Sequence, residues 1–121
     1  MAIFDIDTLR NSGPLVVLDI ANNHSGSLSH GKHIIDSVAR LVDDFQLPIA
    51  VKFQYRQLDT FIHPSFRDRR DFPYIKRFLD TELSMSQFAE LTRHARDLGL
   101  MTSATPFDEG SAAYVVEHGH D

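Results

Sequence analysis

The chain contains no cysteine among its 121 residues. This absence excludes disulfide bonds, thiolate metal sites and cysteine nucleophiles. The sequence also lacks any apolar run long enough to span a bilayer. Residues 1–5 have neither the positive charge nor the long apolar segment of a signal peptide. These absences predict a cytoplasmic protein with no membrane partner.

Positive charge is also scarce, because 12 lysines and arginines stand against 17 aspartates and glutamates, for a formal net charge of −5. General nucleic-acid binding is therefore disfavoured, although a local basic patch is not excluded. Hydrophobic residues make up 42% of the chain, which is enough for the core of one ordinary domain. We predict a single domain over residues 1–121.

Short apolar runs alternate with amphipathic stretches, which predicts alternating strands and helices. The predicted strands are Leu15–Ala21, Ile49–Phe53 and Leu100–Ala104. The predicted helices are Leu28–Phe45 after a Ser27 cap, a helix with a Ser84–Gln87 capping box that ends at Gly99, and a helix that begins near Asp108. A helical turn is predicted at Tyr74–Leu79, after a long loop from Tyr55 to Phe72.

This order of elements favours parallel strands joined by right-handed crossovers. Three such strands can form a small open sheet, but they cannot close a barrel. Residues 119–121 resemble the approach to a further strand. On these grounds we expect the chain to be part of a larger α/β domain.

Lys52 is a lone cation within an otherwise apolar strand. Strand alternation predicts that Val51 and Phe53 face packing helices, while Lys52 and Gln54 point to the opposite side. A lysine there either binds a phosphate or carboxylate near the C-terminal rim of a barrel or extends into solvent. The residue types alone do not decide between these alternatives.

Asp19 occupies the alternate face of the first predicted strand, near its C-terminal end. A buried carboxylate needs a hydrogen-bond donor or a metal. Asp19 could act as a general base or hold a substrate hydroxyl. It could equally form a structural salt bridge to Lys52 on the neighbouring strand.

Two loops after the strands are also candidates for binding. Asn22, Asn23 and His24 suit hydrogen bonding to a sugar or phosphate, and His24 could carry a proton or bind a metal. Ordinary turn chemistry explains the same residues. Thr105 could donate to a phosphate, helped by amides of the following helix. Alternatively, this segment is a plain turn capped by Asp108.

Four segments together resemble the N-terminal part of the sialic acid (N-acetylneuraminate) synthase family. They are Leu18–Gly26, Val51–Gln54, Glu82–Ser84 and Ser103–Asp108. The resemblance implies a TIM (β/α)8 barrel, of which this chain would provide about three βα units. It also implies condensation of phosphoenolpyruvate with an N-acylated amino sugar of the N-acetylmannosamine type. The products would be a nonulosonic acid and phosphate, and the enzyme would be a homo-oligomer.

The resemblance also implies roles for particular residues. Lys52 matches the family's phosphoenolpyruvate-binding lysine, and Thr105 matches a phosphate-contacting threonine. Asp19 stands where the family has a glutamate that contacts the sugar or its metal-bound water, so we predict Asp19 and Lys52 to be catalytic. We predict that Asn22, Asn23, His24 and Gln54 bind substrate. The implied divalent metal, manganese or magnesium, would have its ligands on later strands and none in this chain.

Two positions depart from the family pattern. Asp19 is one methylene shorter than the family glutamate, which changes its reach or the acceptor sugar. Ala21 replaces a usual glycine. We expect no synthase activity from the 121-residue chain alone. The alternatives are a related phosphoenolpyruvate-dependent synthase acting on another aldose, and a non-catalytic remnant or anion-binding oligomeric module.

Overall fold

A computed structural model of the protein describes residues 6–11 and 13–120. Residues 1–5, for which no signal peptide is predicted, lie outside the described residues, as does Asp121. Three strands form one parallel sheet in the order β1-β2-β3, as the sequence predicted. They are β1 (Val16–Asp19), β2 (Ile49–Tyr55) and β3 (Met101–Pro106).

Six α-helices accompany the sheet in the described part of the chain. They are α1 (Ile6–Asn11), α2 (Leu28–Phe45), α3 (Leu58–Phe61), α4 (Pro73–Asp80), α5 (Met85–Asp97) and α6 (Glu109–His118), with a short 3-10 helix at Pro64–Phe66. None of these helices is both long and apolar enough to cross a membrane.

The core lies between the sheet and the helices α2 and α5, which pack against β2 and against each other. Val51, Phe53 and Tyr55 of β2 face these helices and are at most 1% exposed. Lys52 and Gln54 alternate with them and are less buried, so they lie on the other face of the sheet. The predicted alternation along β2 is therefore confirmed.

The two long helices begin where the sequence predicted. The Ser27 side chain accepts a hydrogen bond from the His30 amide at the start of α2. Ser84 and Gln87 form a reciprocal capping box at the start of α5. These caps satisfy amides that have no partner within the helix, which explains why the helix starts were readable from the sequence.

Strand ends were predicted less well. β2 and β3 each continue two residues beyond the predicted ends, and β1 ends at Asp19, two residues before the predicted Ala21. Pro106 is in register with Tyr55, although proline has no N–H to donate to a strand ladder. The ladder does not need the missing N–H of Pro106, because the Phe107 amide donates to the Tyr55 carbonyl at 3.0 Å.

The prediction of a long loop over residues 55–72 was wrong. This segment begins in a strand and contains α3 and the 3-10 helix.

Two apolar residues at or near the C-terminal ends of helices are exposed. Leu98 is 43% exposed because α5 ends one residue earlier and the chain turns at Gly99, where φ is +78°. Val116 of α6 is 86% exposed.

The predicted turn at Tyr74–Leu79 is the two-turn helix α4, which has a proline at its first position.

Candidate active site

Asp19, the last residue of β1, meets Lys52, which lies midway along β2. They are direct partners in the parallel register, and the Lys52 Nζ lies 2.8 Å from the Asp19 Oδ2. Both side chains keep about a third of their surface exposed, 31% for Lys52 and 35% for Asp19. The salt bridge considered from the sequence is therefore present, and it remains open to solvent.

Asp19 is held by three donors. Its Oδ1 accepts from the Ala21 amide at 3.0 Å, and its Oδ2 accepts from Lys52 and from the Gln54 Nε2 at 3.3 Å. Burial opposes ionisation of this carboxyl, but the bonds from Lys52, Ala21 and Gln54 outweigh it and lower the pKa of Asp19. Asp19 is therefore an anion at neutral pH, with its position fixed on both oxygens.

Arg56, which was not among the predicted site residues, extends this group. Its Nη2 donates to the Gln54 Oε1 at 2.8 Å, and its Nη1 donates to the Asn22 Oδ1 at 3.3 Å. Burial lowers the pKa of Arg56, while the Asp19 charge acts in the opposite direction. We call Asp19, Asn22, Lys52, Gln54 and Arg56 the strand-end cluster.

The strand-end cluster carries two cations and one carboxylate, for a local net charge of +1 within a chain of net charge −5. A lysine ammonium has three N–H donors, so Lys52 can bind a further acceptor without leaving Asp19. The arrangement is suited to binding a small anion beside a fixed carboxylate.

Thr105 lies on the next strand, in register with Gln54, and Ser103 lies in register with Lys52. Ser103 is therefore a second hydroxyl beside the cluster, and only the strand register identifies it.

At the start of α6, the Asp108 side chain accepts from the Ser111 amide and from the Gln57 amide, both at 2.8 Å. The structure thus supports the capped turn, and an incoming phosphate would have to displace the Asp108 carboxylate from these amides.

His24 and Asn23 lie in the turn after β1. His24 is 2% exposed, its Nδ1 accepts from the Gly26 amide at 3.1 Å, and its ring meets the Phe88 ring edge-on. Burial, with smaller effects from His30 and Arg56, lowers the pKa of His24 to about 4. The ring is therefore neutral at pH 7. It lines a small pocket together with Asn22, Gln54 and Arg56.

We expect His24 to make stability depend on pH. Its pKa is about 4 in the folded protein against an ordinary value of 6.5, so the unfolded chain binds the proton first. Stability from His24 is complete above pH 6.5 and declines as the pH falls to 4, by about 3 kcal/mol in total. Urea unfolding against pH, with an NMR titration of the ring, measures this.

The matched control is His33→Gln, which replaces an exposed histidine. It should retain the pH dependence of the wild type, whereas His24→Gln should flatten it between pH 4 and 6.5. A ring titration of His24 near its ordinary value in the folded protein would contradict the prediction.

Ala21, at the position of the family's usual glycine, has a φ of +48°. This left-handed conformation strains a residue with a Cβ atom. We expect Ala21→Gly to raise the free energy of unfolding by about 1 kcal/mol, because glycine removes that strain. Ala113→Gly, at an exposed site within α6, should lower it by a similar amount. Equal losses in both variants would show that Ala21 is not strained.

The described residues do not form a site for the divalent metal, whose ligands the family resemblance places on later strands. Among them, histidine, aspartate and glutamate side chains nowhere gather in groups of three that could hold an ion. Asp19, the carboxylate of the strand-end cluster, is bonded to Lys52.

Known proteins similar to this chain extend these observations. The model of the NeuB family matches residues 49–121, which include Lys52, Gln54 and Thr105. An uncharacterized protein of Methanocaldococcus jannaschii is 30% identical over 86 residues, which are 71% of this chain and 22% of that protein.

Solved structures show the same fold. A protein of Chromobacterium violaceum, provisionally assigned as spore coat polysaccharide biosynthesis protein E, matches with a TM-score of 0.85 and 38% identity, over 90% of this chain and 32% of that one. An N-acetylneuraminic acid (sialic acid) synthetase of Leptospira borgpetersenii matches with a TM-score of 0.65 and 22% identity, over 87% of this chain and 33% of that one.

The chain spans about a third or less of the length of these relatives. Its three parallel βα units correspond to part of the TIM barrel of NeuB-type proteins, which confirms the predicted fold class. The match to the family model covers more than half of the chain. The resemblance found in the sequence is therefore confirmed, and the chain belongs to the NeuB family.

Proposed function

We propose that this chain provides part of the active site of a sialic-acid-synthase-like enzyme. The reaction is the condensation of phosphoenolpyruvate with an N-acylated amino sugar of the N-acetylmannosamine type, giving a nonulosonic acid and phosphate. The observation that carries the proposal is the pairing of Lys52 with Asp19 at 2.8 Å across adjacent strands, because the Lys52 ammonium has further donors for an anion. Membership of the NeuB family and likeness to a sialic acid synthetase support the same reaction.

In this proposal the Lys52 ammonium binds an anionic group of phosphoenolpyruvate, and the Thr105 hydroxyl contacts its phosphate. The electron pair of the phosphoenolpyruvate double bond forms the new carbon–carbon bond to the sugar aldehyde, whose oxygen takes up a proton. Water then adds at the phosphate-bearing carbon, and phosphate leaves. The Asp19 carboxylate orients a sugar hydroxyl or transfers a proton. The divalent metal that the family resemblance implies, manganese or magnesium, would be held by residues of later strands.

A related condensation on another aldose is the second candidate. Asp19 is shorter than the family glutamate and is already bonded to Ala21, Lys52 and Gln54, so its reach toward a sugar is restricted. Comparing N-acetylmannosamine with other aldoses as acceptors, in an enzyme with a complete barrel, separates the two candidates.

The direct test of the proposed function is calorimetric titration of the chain with phosphoenolpyruvate, and in parallel with inorganic phosphate and with pyruvate. We expect saturable binding of phosphoenolpyruvate that is tighter than binding of either single-group anion and that weakens with added salt. Equal affinity for all three anions would favour a general anion-binding module. Absence of binding would contradict the proposal. Without a complete barrel, we expect no release of phosphate when the amino sugar is added.

A further inference from the structure

The Gln54 side chain has only one orientation that satisfies both of its neighbours. Its Oε1 lies 2.8 Å from the Arg56 Nη2, and its Nε2 lies 3.3 Å from the Asp19 Oδ2. A guanidinium has donors only and a carboxylate has acceptors only. If the amide were flipped, its NH2 group would face the donor of Arg56 and its oxygen would face the acceptor of Asp19. Arg56 and Asp19 therefore fix the amide together.

Arg56 also orients Asn22. Its Nη1 donates to the Asn22 Oδ1 at 3.3 Å, so the acceptor end of that amide faces the guanidinium. The other end of Asn22 is an NH2 group with two donors. Asn22, Gln54 and Arg56 line the same small pocket. Arg56 thus turns the NH2 end of Asn22 toward a ligand and the NH2 end of Gln54 toward Asp19.

Arg56 is held in place mainly by aromatic rings. Its Cζ lies 4.0 Å from the centroid of the Phe107 ring and 5.0 Å from that of Phe78, which are attractive cation–π distances. Its Nε is buried and makes no hydrogen bond within the described part of the chain. The rings hold the guanidinium without a hydrogen bond. Its Nη1 and Nη2 donors therefore orient the amides of Asn22 and Gln54.

We propose that Arg56 is a positioning residue: its aromatic-stacked guanidinium fixes the amides of Gln54 and Asn22, and through Gln54 it steadies the Asp19 carboxylate beside Lys52. This inference rests on the proposed function for its effect on substrate, but not for its effect on the amides. The arrangement requires a planar fork with two separate donors, which lysine cannot supply.

The test is Arg56→Lys in the full chain, which keeps the charge and removes the fork. We expect the side-chain amide NMR signals of Gln54 and Asn22 to move toward the values of free amides. We also expect the pKa of Asp19 to rise, because Gln54 no longer donates to it reliably. Affinity for phosphoenolpyruvate should fall about tenfold, as expected when one charge-assisted network is lost.

Arg69→Lys is the matched control, because Arg69 also lies over a phenyl ring, that of Phe72 at 4.7 Å, but it is exposed and pairs with Asp71. This control should leave the Gln54 and Asn22 signals and the affinity unchanged. If Arg56→Lys does not fold, Phe107→Leu replaces it, since Phe107 is 41% exposed and its loss unstacks Arg56 without removing it. It should shift the same amide signals in the same direction.

Unchanged Gln54 and Asn22 amide signals in a folded Arg56→Lys or Phe107→Leu variant would overturn the positioning role. This result is distinguishable from failure of the proposed function, in which the wild type itself does not bind phosphoenolpyruvate while the amide signals still respond to Arg56. Loss of affinity with unchanged amide signals would also overturn the inference, because Arg56 would then act on the ligand directly.

Discussion

Lys52→Ala is expected to weaken phosphoenolpyruvate binding by about 100-fold. Charge-assisted hydrogen bonds contribute about 1.5–3 kcal/mol each, and roughly 2.7 kcal/mol corresponds to a 100-fold change in affinity. The variant also leaves the Asp19 carboxylate without the cation 2.8 Å away, so it faces an incoming anion with a bare negative charge. Both effects lower the affinity, and calorimetry measures their sum.

A double variant separates these two effects. Lys52→Ala combined with Asp19→Asn removes the bare carboxylate, and we expect it to recover part of the lost affinity. Lys32→Ala is the matched control, because Lys32 pairs with Glu90 and is exposed to a similar degree, 34% against 31%. It should bind phosphoenolpyruvate like the wild type. Unchanged affinity in Lys52→Ala would show that Lys52 only holds Asp19.

Phe53→Ala should have the largest effect on folding. Phe53 lies between Lys52 and Gln54 in β2 and is 1% exposed. Its ring lies 6.3 Å from that of Tyr55 and 6.4 Å from that of Phe88, measured between centroids. Replacing a buried phenylalanine by alanine costs about 3–5 kcal/mol, because the cavity collapses only partly. This is a large part of the 5–15 kcal/mol that holds a typical domain together.

Phe45→Ala is the control for this prediction, since Phe45 closes α2 and is 65% exposed. It should change the free energy of unfolding by less than about 0.5 kcal/mol. Urea unfolding followed by circular dichroism compares the two variants. Similar small losses in both would mean that β2 is not packed against α2 and α5 as described.

The fold could be predicted where local signals determine it. Ser27 and Ser84 precede apolar periodicity and cap their helices, so both helix starts were correct. The ends of β2 and β3 depend instead on pairing between residues far apart in sequence, such as Tyr55 with Pro106. No local pattern encodes that pairing, and a proline there argued against it.

The same distinction between local signals and contacts of distant residues applies to the candidate site. Asp19 and Lys52 were predicted as possible partners because each lies near the end of a predicted strand, and these two strands are neighbours in the parallel sheet. Arg56 was missed because its segment was assigned to a loop, and because its aromatic neighbours Phe78 and Phe107 come from distant segments. The strain at Ala21 could be suspected only from the family's usual glycine at that position.

The most direct test of the central claim is NMR of the lysine side chains during titration with phosphoenolpyruvate. The chain has three lysines, Lys32, Lys52 and Lys76, so their Nζ signals can be resolved and assigned by substitution. Lys32 and Lys76 pair with Glu90 and Asp80, away from the strand-end cluster. We predict that the Lys52 signal shifts and saturates while the other two stay in place. A shift of Lys32 or Lys76 with an unchanged Lys52 signal would contradict the account.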